Sequence, residues 1–265
     1  MKRGLVKICS LGRPEDARAA RAAGVDLAGL IFAPARRQVT PEVAAAIVAA
    51  LRDGPGAAPR AVGVFVDEAP DRMNALAERL DLDLVQLSGD EPPETIAALA
   101  RPAIKTLRLR PGTSPSDARR LAEQYLSAPV PPVALIVEGW VPGAPGGTGH
   151  VAEWSLAAAL AAEYPVILAG GLRPENVADA IRAVRPLGVD VSSGVEVPGA
   201  VGVKDPARIH AFAAAARAAF EAAEPRASTP DPVVATRADQ VRVSTVALLK
   251  ETRKIDRSMG IEERT

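Results

Sequence analysis

Short apolar, β-branched runs alternate along the chain with Ala-rich stretches that read as helices. Strands of this kind are predicted at 5–9, 27–32, 61–66, 83–87, 103–107, 133–138, 165–169 and 188–193. Between and after them, helices are predicted at 14–23, 41–52, 70–79, 92–100, 115–126, 152–162, 174–184 and 205–223. Start signals support several helices. Pro14, Pro41 and Pro206 fall near the first helical turn, where a missing N–H costs nothing, and acids accompany Pro14 and Pro41. Strand followed by helix, repeated, is the pattern of a parallel sheet covered by helices. Eight such units in order predict a (β/α)₈ barrel over residues 1–224. An open, doubly wound sheet carries the same alternation, because the pattern does not reveal the order of connection.

Residues 225–265 break the pattern. Pro225, Pro230 and Pro232 stand among small polar residues as a linker, and a charged stretch follows at about 236–259. This polar C-terminal extension is expected to be helical or disordered and to be a place where a partner contact could form.

Composition narrows the function. The 32 basic and 32 acidic residues cancel, which argues against a nucleic-acid or membrane-surface protein. Aromatics are only 3%, so Ala, Val and Leu must fill the core. The single cysteine, Cys9, excludes an intramolecular disulfide, and with two histidines a Cys- or His-based metal centre is not expected. The N-terminus lacks signal-peptide features, and no run approaches the roughly 18 to 20 apolar residues that cross a bilayer. A cytoplasmic location is expected.

In a barrel of this kind the chemistry sits where the strands end. Glycines follow strands 7 and 8, at Gly170-Gly171 and Ser193-Gly194, where they make tight turns or let backbone N–H groups approach a phosphate. Cys9 ends strand 1 two residues from Lys7, on the same side, and a nearby ammonium favours the reactive thiolate. A lone cysteine also serves as a small buried hydrophobe. Glu138 ends an apolar strand and is either a solvated carboxylate or a proton donor. Arg36 and Arg37 follow strand 2, where a guanidinium can grip a carboxylate with two bonds. Gly146-Gly147-Thr148-Gly149 lacks the ending of a P-loop and reads as a ligand-covering loop.

These residues, taken in order, resemble phosphoribosylanthranilate isomerase of tryptophan biosynthesis. The resemblance rests on Lys7-Ile8-Cys9, Phe32-Ala33-Pro34 with Arg37-Gln38-Val39-Thr40-Pro41, and Val62 to Val66. It continues through Val85 to Glu91, Gly146 to Gly149 with Glu153-Trp154, Leu168 to Leu172 with Pro174 to Val177, Gly188 to Glu196, and Lys204-Asp205. It implies a barrel of the ribulose-phosphate-binding type, an Amadori rearrangement of a phosphoribosyl-amine, and no metal or organic cofactor. It casts Cys9 as general base at C2′ and Glu138 as general acid at the ring oxygen. It sets Arg37 against the anthranilate carboxylate, with Lys7, Gln86, Gly147 and Asp190 also on the substrate. Gly170, Gly171, Ser193 and Gly194 take the phosphate. The chain departs from the family at Ser10 (usually Gly), Ser88 (usually His) and Glu138 (usually Asp). Those departures leave two other readings open: a barrel turned to a different sugar-phosphate reaction, and a non-catalytic binding protein.

Overall fold

A computed structural model describes residues 4–110, 112–138 and 151–223, without the side chains of 151–153. The strands β1 (Leu5–Ile8), β2 (Leu27–Ile31), β3 (Arg60–Phe65), β4 (Leu84–Leu87), β5 (Ala103–Arg108), β6 (Ala134–Glu138), β7 (Val166–Ala169) and β8 (Gly188–Val191) are all parallel. They pair in chain order, and β8 returns to β1, so the sheet closes. Closure decides against the open sheet.

The helices are α1 (Pro14–Ala22), α2 (Pro41–Arg52), α3 (Pro70–Arg79), α4 (Glu94–Ala97), α5 (Pro115–Leu126), α6 (Val151–Glu163), α7 (Val177–Val184) and α8 (Pro206–Ala222). Their starts have local causes. Thr40 Oγ1 accepts from the Val43 N–H ahead of Pro41, and Asp205 accepts from Ala207 and Arg208 ahead of Pro206. Two expectations are corrected. The helix expected over 92–100 is a single turn, because Pro92 and Pro93 precede it and Pro102 follows closely. The strand expected to reach residue 193 stops at Val191, and Ser193–Val195 forms a 3₁₀ turn that bends the chain across the barrel mouth.

Alternation along the strands sorts the core. Leu5, Leu27, Val62, Leu84, Ile104 and Ile167 form an apolar plug inside the barrel. Residues one step out of phase, such as Val6, Ile8, Ala28 and Val85, pack against the helices in a larger cluster. Further along β1, β4, β5 and β8 the interior turns polar, with Lys7, Gln86, Thr106 and Asp190 all buried. The closed lower end is therefore hydrocarbon and the upper end is functional. No helix among the described residues is long and apolar enough to cross a membrane. The 139–150 segment, with Gly147, and the extension from residue 224 onward lie outside the described residues.

Candidate active site

Lys7 on β1 and Asp190 on β8 are register partners, and their side chains meet at 2.8 Å in the barrel interior. Lys7 is fully buried. Burial works against its charge, but Asp190 and Cys9 outweigh that and raise its pKa. Cys9 lies one residue beyond β1, anchored by its N–H to the Val191 carbonyl at 2.8 Å. Gly29 on β2 makes room for this group. A Cβ there would stand 2.7 Å from Cys9 Sγ and 3.3 Å from Lys7 Nζ.

A second ion cluster braces the same corner. Arg37 grips Glu196 with Nε at 2.7 Å and Nη2 at 2.9 Å, and Lys204 Nζ reaches the same carboxylate at 3.1 Å. Although burial opposes ionisation, these two cations hold the Glu196 pKa down at about 2. Lys204 is itself pulled below the usual lysine value by burial, with Glu196 opposing. Lys204 also donates to the Ser192 carbonyl at 3.0 Å, tying the β8 loop down. Lys7, Arg37 and Lys204 all interact electrostatically with Cys9, and they are ion-paired to Asp190 and Glu196. The sulfur thus lies beside three cationic side chains.

The rim over β7 and β8 is made of backbone. Gly170 and Gly171 have φ of +88° and +63°, a region that favours glycine. Asn176 Nδ2 donates to the Gly171 carbonyl at 3.0 Å, and its Oδ1 accepts from the Arg173 N–H at 2.8 Å. Gly194 is pressed against the neighbouring loop, where a Cβ would fall 1.9 Å from the Leu172 carbonyl oxygen. The two glycine loops thus present main chain rather than side chains to the barrel mouth.

Across the mouth the walls are side chains. Glu138 ends β6 beside its register partner Arg108, which ends β5. The Glu138 side chain is open to solvent on one side, but the barrel rim strips much of the water from its carboxyl. That loss of hydration, with the charge of Asp190, raises its pKa against the pull of Arg108 and Lys7. Gln86, Ser88 and Thr106 form a hydrogen-bonded group below Arg108, whose guanidinium donates to the Ser88 carbonyl. Cys9, Arg37, Gln86, Glu138, Asp190 and the two glycine loops all line one cavity of about 700 Å³. That volume suits a single small ligand.

A sequence model of the N-(5′-phosphoribosyl)anthranilate (PRA) isomerase family matches residues 6–215. The chain belongs to the phosphoribosylanthranilate isomerase family. The N-(5′-phosphoribosyl)anthranilate isomerase of Roseiflexus castenholzii is 48% identical over 218 residues, covering 81% of this chain and 99% of that protein. Among solved structures, the phosphoribosylanthranilate isomerase of Thermotoga maritima superposes with a TM-score of 0.70 at 33% identity, covering 81% of this chain and 99% of that one. A further isomerase structure is similar at a TM-score of 0.67 and 32% identity, with the same coverage. It is a complex with reduced 1-(o-carboxyphenylamino)-1-deoxyribulose 5-phosphate.

Against this family background the three departures have physical settings. Ser10 stands where the family usually has glycine and has a φ of +63°, so a residue with a Cβ occupies a left-handed position. Its hydroxyl meets that of Ser192 at 2.6 Å. Ser88 meets Gln86 and Thr106, and Glu138 is the last residue of β6. Arg37 reaches the cavity, but with one edge of its guanidinium committed to Glu196. His210 is on the exposed face of α8, away from the mouth. Sequence reasoning did not single out Gly29, Thr106 or Arg108. Thr106 and Arg108 follow from Ile104 by the strand's period of two, and that signal was available.

Proposed function

We propose that this chain catalyses the Amadori rearrangement of N-(5′-phosphoribosyl)anthranilate to 1-(o-carboxyphenylamino)-1-deoxyribulose 5-phosphate, with Cys9 as general base and Glu138 as general acid. The observation that carries this reading is the convergence of Cys9, Glu138 and the β7–β8 cradle on one cavity. The phosphate is held by backbone N–H groups at Gly170, Gly171, Ser193 and Gly194. This directs the sugar carbons over the barrel centre, between β1 and β6. Glu138 gives its proton to the ring oxygen while the C1′–O bond breaks and the amine lone pair forms a C1′=N bond. Cys9 then removes the C2′ proton, and the C–H electrons form C1′=C2′ and return the nitrogen to an amine. Protonation at C1′ and loss of the hydroxyl proton at C2′ complete the ketose. C1′ is reduced as C2′ is oxidised, so no external oxidant or reductant enters.

The electrostatics suit both roles. A raised pKa keeps the Glu138 proton available nearer neutrality. The three cations that interact with Cys9 match the negative charge a base of this kind carries. Gln86 and Asp190 contact the sugar chain, Lys7 acts on it through Asp190, and the free edge of Arg37 faces the aryl carboxylate. A biosynthetic reaction on a charged phosphate ester suits a cytoplasmic protein.

The test is complementation of a tryptophan auxotroph that lacks this isomerase, paired with calorimetry on the reduced product analogue. Growth and analogue binding are expected. Binding without growth or measurable turnover would favour a barrel turned to another sugar-phosphate reaction. Loss of both would defeat the assignment.

A further inference from the structure

Two buried side-chain oxygens of the described residues, Gln86 Oε1 and Asp190 Oδ1, lack a hydrogen-bond partner, and both residues line the mouth cavity. Asp190 is already engaged through its other oxygen by Lys7. Gln86 has a different restraint. Its Nε2 donates to Ser88 Oγ at 3.0 Å and to Thr106 Oγ1 at 3.3 Å, which uses both amide hydrogens. The two hydroxyls stand 3.1 Å apart, so one donates to the other. The Ser88 backbone is held in turn by Arg108, which donates to its carbonyl. With both hydrogens committed on one side, the amide plane is fixed and Oε1 faces away from the hydroxyls. Gln86 and Thr106 are each only 5% exposed, so water does not freely replace these partners.

We infer that Ser88 and Thr106 are positioning residues that lock the Gln86 carboxamide with Oε1 toward the substrate, where it accepts a hydrogen bond from an O–H or N–H of the sugar-amine chain. The inference rests on the isomerase reading for the identity of that chain. It explains how a serine serves at a position where the family usually carries a histidine: the small hydroxyl bridges to Thr106, and the pair together hold the amide. A buried acceptor without a partner is unfavourable, so a ligand that supplies the donor gains affinity by satisfying it.

The experiment is a double-mutant cycle read by calorimetry with the reduced product analogue, alongside steady-state kinetics. Gln86→Met keeps the side-chain length and removes the amide. It should weaken the analogue roughly tenfold to a hundredfold, the scale of one lost hydrogen bond to a buried group. Inorganic phosphate, which needs only the glycine loops, should bind as in wild type. Ser88→Ala with Thr106→Val should weaken the analogue about three- to tenfold when Gln86 is present, raising KM more than it lowers kcat. In the Gln86→Met background the same pair of changes should have no effect, because nothing remains to be held. Equal losses in both backgrounds would mean that the hydroxyls act only on the fold, and no loss in either would mean that they hold nothing. Each result overturns the inference. The isomerase reading is judged separately by wild-type turnover. A wild type that turns over substrate while the cycle shows no coupling sinks this inference alone.

Discussion

At β7 and β8 the mouth is built from backbone, whereas at β6 it depends on one side chain. Gly170 and Gly171 hold backbone angles that favour glycine, Gly194 leaves no room for a Cβ, and the loops that carry them are tied by Asn176, Lys204 and the Arg37–Glu196 pair. Glu138 stands on a strand end and keeps a solvent-facing side. The three positions expected to depart from the family, Ser10, Ser88 and Glu138, are all side-chain positions, and of them Ser10 touches the β8 side, at Ser192. A cradle made of main chain tolerates almost no change, because every atom of it is also structural. A wall made of side chains can be rebuilt one residue at a time, with neighbours such as Thr106 and Ser192 taking up the difference.

The largest expected effects break the side-chain half. Cys9→Ser and Glu138→Ala should each lower kcat by about 10²- to 10⁴-fold, the range for a positioned base or acid, with little change in KM. Glu138→Asp sharpens the comparison. If the wall has been rebuilt around the longer acid, shortening it by roughly 1.5 Å should cost about ten- to a hundredfold in kcat, although it restores the family's usual residue. Single-turnover kinetics with wild-type analogue binding is the check. Wild-type turnover in both Cys9→Ser and Glu138→Ala would end the mechanism proposed here.

An intermediate effect tests the braced half. The Glu196 pKa lies near 2 in the folded chain, against 4.5 for an ordinary glutamate. A depressed carboxylate contributes stability that is fully present above pH 4.5 and is lost as pH falls through about 2. The whole contribution is about 3 kcal/mol, of which about 2 kcal/mol is lost by pH 3. Urea midpoints between pH 6 and 3 should therefore fall more steeply for wild type than for Glu196→Gln. Parallel slopes would remove Glu196 as the brace of the glycine loops.

Much of the fold was legible because the barrel repeats one local rule. Alternation placed all eight strands, and proline with acidic or hydroxyl neighbours marked the starts of α1, α2 and α8. Cys9, Glu138 and the glycine loops were legible as strand ends. What escaped was long-range or depended on counting. Nothing local links Arg37 to Glu196, which lie 159 residues apart, so an arginine expected to be free for a ligand is half committed. Gly29 looked like any strand glycine until Cys9 and Lys7 were seen beside it. The end of β8 was overrun because Ser192 and Ser193 carry no breaker, while the 3₁₀ turn is drawn in by Lys204 from the far side of the loop.

The smallest effect concerns Ser10, where the two halves of the mouth touch. A non-glycine residue at a φ of +63° carries a strain of about 1 to 2 kcal/mol, which Ser10→Gly would relieve. The same change removes the 2.6 Å hydroxyl contact with Ser192, a loss of about 1 kcal/mol. It also gives the unfolded chain more freedom, which costs the folded state a further 0.5 to 1 kcal/mol, roughly. The terms nearly cancel, so stability should change by less than about 1 kcal/mol. Turnover should follow the same balance, because Ser10 borders Cys9 without holding its side chain. A urea titration and kcat/KM for this one variant are sufficient. A gain well above 1 kcal/mol would show that the hydroxyl pair contributes nothing. A large fall in kcat/KM at unchanged stability would move Ser10 from the scaffold into the substrate's own contacts.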